Sequence, residues 1–592
     1  MLAQVADPIV YDKISKEDVK QTPFLDRQML YVQDSNGGNY SSNQVVFETQ
    51  ALSSSGRWLD YTESYLSFPV YITASSDDRF LFDGANEIHA DYLLGLKSGS
   101  HQLIHSISLD YNGANVVQPN GYVNMLTNYN MVTTFSQEDI RRLNASIFFN
   151  PPEGDSWVWT PNVRTSFGTG LCDNNNYPQN TGFGQGEAFS RVLRGNKGFL
   201  ENQKAVSGSY ATPDVNYEGN FASTSARSLM ADATQNSQYV NKNLDTNRVH
   251  VKRVMASIRL KDIHDLFANL PLLRMANLRL VLNINNSAFT VVKSAFAVNG
   301  FNPSLMAATG PVMSLANAPT LANGTNPLMI ASSYGENAVD CAGGACIVTG
   351  GVNLANILCT VSVGRILDQT QLGLGAPNDF VACRWYVPSY TMTPQYVSQY
   401  LGIGSKKCVF EDFLCIQVPV AAGANFTQML TPSLKNVARV IVVPHIAQAS
   451  LFDGVGGSTT QLGTPFCDGN FTAPLVGGGL SQLNVRLGGV DVIASGGHRF
   501  GYEYFRAQMP SGVNAGLTDG FSSGLINEAN WTKGMFQYYT VDCSRRLLEA
   551  ENLPQSVELT ATNRSSVALT LYAFVVFKRE IVIDVATSAQ VA

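Results

Sequence analysis

Two histidines, His101 and His105, stand four residues apart in SGSHQLIHSISL, a spacing that on a helix would offer half of a metal site. The alternation around them reads instead as a strand, where they share a face about two pleats apart and need a third ligand to act together. Cys341 and Cys346 in CAGGAC are the one cysteine pair that suggests a metal clip, but no second pair or nearby histidine completes it. Asp60, Glu63, Asp77 and Asp78 could supply the paired carboxylates of a glycoside hydrolase. That chemistry needs a cleft holding the two groups at a defined separation, so solvated surface positions are the plainer reading. GFSSG (520–524) sets Ser522 at the nucleophile position of GxSxG, yet in a Gly- and Asn-rich loop without the strand and helix of an elbow. GIGSKK (402–407) has only the end of a phosphate loop, and GFGQG (182–186) lacks the strand and helix of a dinucleotide site. No residue is nominated as catalytic, cofactor-binding or metal-ligating.

What must position such groups is a chain of 592 residues with 45% hydrophobic side chains, ample for large buried cores. Only 14% of residues are charged, against roughly 25% in ordinary soluble domains. With 50 Gly and 24 Pro, that deficit points to a turn-rich β protein that hides surface in assembly. The net charge is −7 and neither end carries a basic tail, which argues against wrapping nucleic acid through a Lys/Arg arm. The most apolar runs, VARVIVVP (437–444) and LYAFVVF (571–577), have strand length and cannot span a bilayer. MLAQVADPIVYDKISKEDVK lacks the pattern of a secretory signal, so an intracellular product is expected. The nine cysteines show no framework spacing, and Cys383, Cys408 and Cys415 are expected as buried free thiols. The glycosylation sequons at Asn144, Asn323, Asn425 and Asn530 are expected from chance in an Asn- and Ser-rich chain.

Residues 1–42 read as an N-terminal arm, with FLDRQMLYV as its apolar piece. Strand signals start near Asn43 in NQVVFETQAL and recur in RWLDYTESYLSFPVYIT and HQLIHSISLDYNGANVV. Asn112-Gly113 marks a hairpin, because both residues tolerate positive φ. Polar excursions occupy about 150–245 and 291–375, the first with scattered aromatics such as Trp157, Trp159, Phe183 and Tyr217. Short helices are expected at SQEDIRRLNASIF, at LKDIHDLFANLPLL through Ile263, Leu266, Phe267 and Leu270, and at TPQYVSQYLG with Pro394 at its first position. SISLDYNGANVVQPNGYVNMLTNYNMV from Ser106 is echoed by LNVRLGGVDVIASGGHRFGYEYFRAQM from Leu483, which points to duplication of one β unit.

The ordered set GRWLDYTESYLSFPV, LKDIHDLFANLP, TPQYVSQYL, KCVFEDFLCIQVPVAAGANFTQMLTPSLKNVARVIVVP and VRLGGVDV…YEYF resembles the major capsid proteins of virophages and polinton-like viruses. That group belongs to the double jelly-roll lineage that includes adenovirus hexon. The similarity runs over roughly 43–140, 248–290 and 380–585, and the excursions fall where that family carries variable tower loops. The resemblance implies an all-β chain of two jelly-roll barrels side by side, with long loop insertions and a few short helices. The expected parts are an arm (1–42), a first roll (43–290), an excursion and connector (291–400), a second roll (401–585) and a tail (586–592). It also implies homotrimeric, pseudo-hexagonal capsomers tiling an icosahedral shell, beside penton and minor capsid proteins, in a virion assembled inside the host cell. It implies neither an enzyme, nor a sequence-specific nucleic-acid binder, nor a transmembrane segment. A carbohydrate-binding or carbohydrate-active β-sandwich is the alternative from another class.

Overall fold

The computed structural model describes residues 24–76, 92–136, 139, 238–241, 248–293, 313–332, 355–365, 382–447, 460–465, 479–493, 497–498, 504, 525–526, 531, 537–544, 553–565 and 567–591. The chain opens with strands β1 (Phe24–Gln33), β2 (Gln44–Glu48), β3 (Trp58–Leu59), β4 (Tyr65–Ser76), β5 (Tyr92–Leu96), β6 (Ile104–Tyr111) and β7 (Ala114–Asn120). Next come β8 (Gln238–Asn241), β9 (Arg248–Arg259), β10 (Leu278–Ile284), β11 (Ser287–Lys293), β12 (Met313–Leu315), β13 (Thr320–Leu321), β14 (Leu328–Ser332), β15 (Ala355–Val363) and β16 (Arg384–Met392). The later part holds β17 (Ser405–Val420), β18 (Asn425–Leu434), β19 (Val437–Ile446), β20 (Leu480–Leu487), β21 (Val490–Asp491), β22 (Tyr539–Asp542), β23 (Gln555–Asn563), β24 (Leu569–Asp584) and β25 (Gln590–Val591).

Pairing sorts these strands into one plan, used twice. In the first part β1-β16-β4-β9 form one sheet and β2-β10-β6-β7 another. In the second, β17-β24-β19-β22 and β18-β23-β20-β21 do the same. Numbered one to eight within its own part, each unit reads 1-8-3-6 in one sheet and 2-7-4-5 in the other. That order is a jelly roll, whose two sheets share a core between them. The echo seen in the sequence is the β6–β7 hairpin repeated as β20–β21. Asn112 and Gly113 have φ of 48° and 85°, and Gly488 and Gly489 have 58° and 84°. Both turns therefore use two consecutive left-handed residues, the geometry that matches the twist of a tight hairpin.

The structure departs from several expectations. Residues 24–33 do not belong to an arm: FLDRQMLYVQ pairs with β16 from Phe24↔Met392 to Gln33↔Arg384 and is the first strand of the first roll. The segment 291–400 is not only loop and connector, because β15 and β16 both lie beside β4 in the first roll's sheet. His101 sits in a 3-10 turn, Ser100–Leu103, rather than on a strand. An unexpected helix, α1 (Val123–Thr134), follows the first hairpin and is buried along nearly its whole length. The LKDIHDLFANLPLL helix is two single turns, α2 (Leu260–Ile263) and α3 (Leu266–Asn269), with Ile263, Leu266, Phe267 and Leu270 all buried. The third expected helix is α4 (Pro394–Leu401), with Pro394 at its start. Of the SQEDIRRLNASIF helix only Ser136 and Asp139 are described, each hydrogen-bonding the other as an N-terminal cap does. The excursion at 150–245 lies outside the described residues except for β8, as do Phe301, Ser522, GFGQG and the Cys341–Cys346 pair.

Buried apolar side chains of both rolls belong to one contiguous cluster, from Val45 and Trp385 in the first to Phe574 and Leu559 in the second. In each roll a buried asparagine stands at the end of the seventh strand or one residue beyond it. Asn285 donates to the Gln102 carbonyl, and Asn563 donates to the carbonyls of Ala421 and Val567. Those amides satisfy loop backbone that leaves the sheet inside the molecule, where unpaired groups are costly.

Candidate functional site

The most elaborated polar chemistry in the described residues lies where the two rolls meet. The first roll contributes β7, α1 and the α2–α3 segment, and the second contributes the outer edge of β17, with β22, β24 and the C-terminal residues. An edge strand leaves backbone donors and acceptors unpaired, and β17 is the last strand of its sheet. First-roll side chains cap that edge: Asp265 Oδ2 accepts the Glu411 N–H at 2.8 Å, and Asn120 Nδ2 donates to the Phe413 carbonyl at 2.6 Å. The Cys408 thiol donates to the Asn269 carbonyl at 3.3 Å.

At the centre is Asp412, buried on β17. Arg579 of β24 donates from Nη1 to Asp412 Oδ2 at 2.8 Å and to the Val116 carbonyl of β7 at 2.7 Å, so one guanidinium ties both rolls together. His264, between α2 and α3, faces Asp412 Oδ1 with Nε2 at 3.5 Å. Its Nδ1 accepts the Leu266 N–H at 3.2 Å, which puts the ring proton of the neutral form on Nε2, toward the carboxylate. Burial alone would raise the Asp412 carboxyl, but His264, Arg579 and the Phe413 N–H hold it below its ordinary value. Beside it, Arg439 and Glu411 form a second, largely buried pair at 2.6 Å. Such pairs add little net stability, because desolvation offsets most of the attraction.

Tyr122 enters the same boundary with φ of 63°, a conformation that a bulky residue adopts at a cost. There its hydroxyl accepts Gln417 Nε2 at 2.7 Å and its ring meets Tyr572 edge-on at 4.8 Å. From α1, Asn128 Nδ2 donates to the Tyr538 hydroxyl at 3.0 Å, and Tyr129 and Thr540 share a hydroxyl bond at 2.9 Å. The chain's last described residues return to the first roll: Tyr111 Oη and Asn112 Nδ2 both donate to the Ser588 carbonyl, at 2.6 and 2.9 Å. Nothing in this set is a nucleophile with a base, and all of it holds one roll against the other.

The residues weighed for catalysis or metal binding are placed elsewhere or used structurally. His101 is buried, its ring pushed down to about 4 by desolvation, with Asn128 Oδ1 at 3.0 Å from Nε2. His105 stands on β6 against Tyr122. Among the described residues no group of three or more His, Cys, Asp or Glu is arranged to hold a metal. Asp60 accepts from the backbone and hydroxyl of Thr62, and Glu63 pairs with Arg27 at 2.5 Å, whereas Asp77 and Asp78 lie outside the described residues. GIGSKK is the turn from α4 into β17. Cys359, Cys383, Cys408 and Cys543 are buried, and Cys415 is half-buried. No helix among the described residues is long and apolar enough to cross a membrane.

Residue spacing alone does not single out His264, Asp412 or Arg579. One signal is present: FEDFL and FKREI interrupt apolar strands with charge. Charges there need buried partners.

No protein-family model and no curated protein matches the sequence. Among solved structures, the chain is similar to the Sputnik virophage structure from cryo-electron microscopy, with 11% identity and a TM-score of 0.47, covering 96% of this chain and 88% of that one. It is similar to the mavirus major capsid protein at 12% identity and a TM-score of 0.39, over 99% and 94% of the two chains. For the Faustovirus major capsid protein the values are 8% and 0.40, over 95% and 90%. The chain's own strand order, read independently of these structures, is that of a double jelly roll.

Proposed function

We propose that this chain is a structural subunit of a viral shell: a major capsid protein whose homotrimers form pseudo-hexagonal capsomers that tile an icosahedral particle. One observation carries the reading. A single chain holds the same eight-strand plan twice, locked by a buried seam, so three copies present six like units around a centre. Low charge suits subunits that bury broad contacts. The sequence resemblance supports the same role, with penton and minor capsid proteins as partners and the virion as location. The protein acts by packing and carries out no reaction. Light scattering coupled to size exclusion, with negative-stain microscopy, should give three times the chain's 64.1 kDa and hexagonal outlines. A chain that stays monomeric at every concentration overturns the reading.

A further inference from the structure

We infer that Asn112 is a deamidation site held shut by the chain's own C-terminal turn, and that deamidation there in turn bars the turn from docking. The chemistry is intramolecular. The amide nitrogen of Gly113 attacks Cγ of Asn112 and loses its proton as the Cγ–Nδ2 bond breaks, and ammonia leaves. Water then opens the resulting succinimide at either carbonyl, giving an aspartyl or an isoaspartyl residue at position 112. Attack is easiest before glycine, where no Cβ crowds the nitrogen. It also needs a side chain free to bring Cγ onto that nitrogen. A Cβ built at Gly113 meets nothing within 4 Å, and Asn112 itself is exposed, so neither crowding nor burial protects this bond.

What the fold withholds is the freedom of the side chain. Asn112 Nδ2 donates to the Ser588 carbonyl at 2.9 Å, and its Oδ1 accepts the Asn277 N–H at 2.8 Å. Ser588 is buried and held by other groups as well: Tyr111 donates to the same carbonyl at 2.6 Å, and the Ser588 hydroxyl accepts the Arg274 N–H at 3.0 Å. With both its polar atoms engaged, Asn112 cannot turn Cγ onto Gly113 without breaking a bond to a remote segment. Four Asn-Gly pairs lie among the described residues, at 36–37, 112–113, 120–121 and 323–324. Asn36 accepts from Val46 and Asn323 donates to Ile284, both within roll one, while Asn120 donates to Phe413 across the seam. Of the four, Asn112 is the one whose side chain is held by the C-terminal turn. The product works in reverse. A carboxylate at position 112 has no proton to donate and faces the Ser588 carbonyl oxygen. The isoaspartyl form adds a backbone carbon to a turn whose two residues both sit at positive φ.

Two variants test this. A chain ending at Ala586 lacks the turn. Peptide mapping by mass spectrometry during incubation at mildly alkaline pH should show position 112 deamidating about tenfold faster than in the full chain. Asn36, Asn120 and Asn323 should keep their rates. Asn112→Asp puts the product's carboxylate into an otherwise unchanged hairpin. Hydrogen exchange of residues 586–591 should then quicken, while that of β6 and β7 stays at the parent's rate. Equal rates at position 112 in the two chains, or a rise shared by all four pairs, overturns the shielding. A C-terminal turn as protected in Asn112→Asp as in the parent overturns the reverse effect.

Discussion

The two rolls solve the same sheet in different ways. In roll two, β17 and β24 run beside each other without interruption, from Ser405↔Asp584 to Val420↔Leu569. In roll one, the lane beside β4 is filled by two pieces: β16 against residues 65–67 and β15 against residues 70–76. The lane beyond it is also split, with β1 against β16 and β11 against β15. β11 and β15 come from the stretch between the seventh and eighth strands, residues 285–383, which in roll two is only 564–568. Asn286 stitches the junction, accepting the Val363 N–H at 3.2 Å and donating to Asn43 at 2.8 Å. A ladder needs a backbone at the right spacing and direction, not a continuous chain. A jelly roll can therefore accept a large insertion by letting the insertion finish its strands.

Core truncation gives the strongest test of how separate the rolls are. Trp385 is fully buried among Phe47, Tyr61 and Phe267, and Phe574 is its fully buried match in roll two. Trp385→Ala and Phe574→Ala should each cost about 3–5 kcal/mol. Because the apolar cluster is continuous, calorimetry should show either change lowering one shared transition; two transitions moving separately would break the comparison. Asp412→Ala should cost about 2 kcal/mol, since Arg579 retains some solvent while His264 loses its facing carboxylate. Unlike the core changes, it should split the transition, because it loosens the seam and leaves both rolls packed.

Acid should act on both rolls, and then on the seam. Burial lowers His101 to about 4, His445 to about 3 and His498 to about 4 from an ordinary 6.5, so each stays neutral when folded and gains a proton readily only when unfolded. Their contribution is complete above pH 6.5 and falls as pH drops toward 4. Asp412, held below its ordinary 3.8, adds stability above that pH that is lost as pH falls through its folded value. Chemical denaturation between pH 7 and 3 should thus weaken continuously, and Asp412→Asn should flatten only the most acidic part. The smallest effect is at the paired hairpin turns. Gly113→Ala and Gly489→Ala, at φ of 85° and 84°, should each cost about 1 kcal/mol, equally in both rolls.

The β class, the duplication and the α4 helix were legible because alternation, Asn-Gly and an initial proline act locally. β1 was not. Its inward residues Leu30 and Val32 are only partly buried and charged or polar residues fill its first half, so FLDRQMLYVQ carries too short an apolar stripe to read. α1 was hidden for the opposite reason: Asn124, Thr127, Asn128 and Thr133 are buried alongside its apolar residues, leaving no amphipathic period. The seam was unreadable because its members are remote: Asp412 meets His264 and Arg579 from other roll elements, and no spacing rule links them. Charge inside an apolar strand hinted at a buried partner but not at which one.

The grip of Tyr111 and Asn112 on Ser588 also sets an order of events during synthesis. Both donors are in place once the first hairpin has formed, but their acceptor leaves the ribosome only after every strand of both rolls has been made. The first roll must therefore wait with that corner open while the second is translated, and the clasp shuts last. A chain interrupted anywhere between Asn112 and Ser588 leaves both donors without this acceptor.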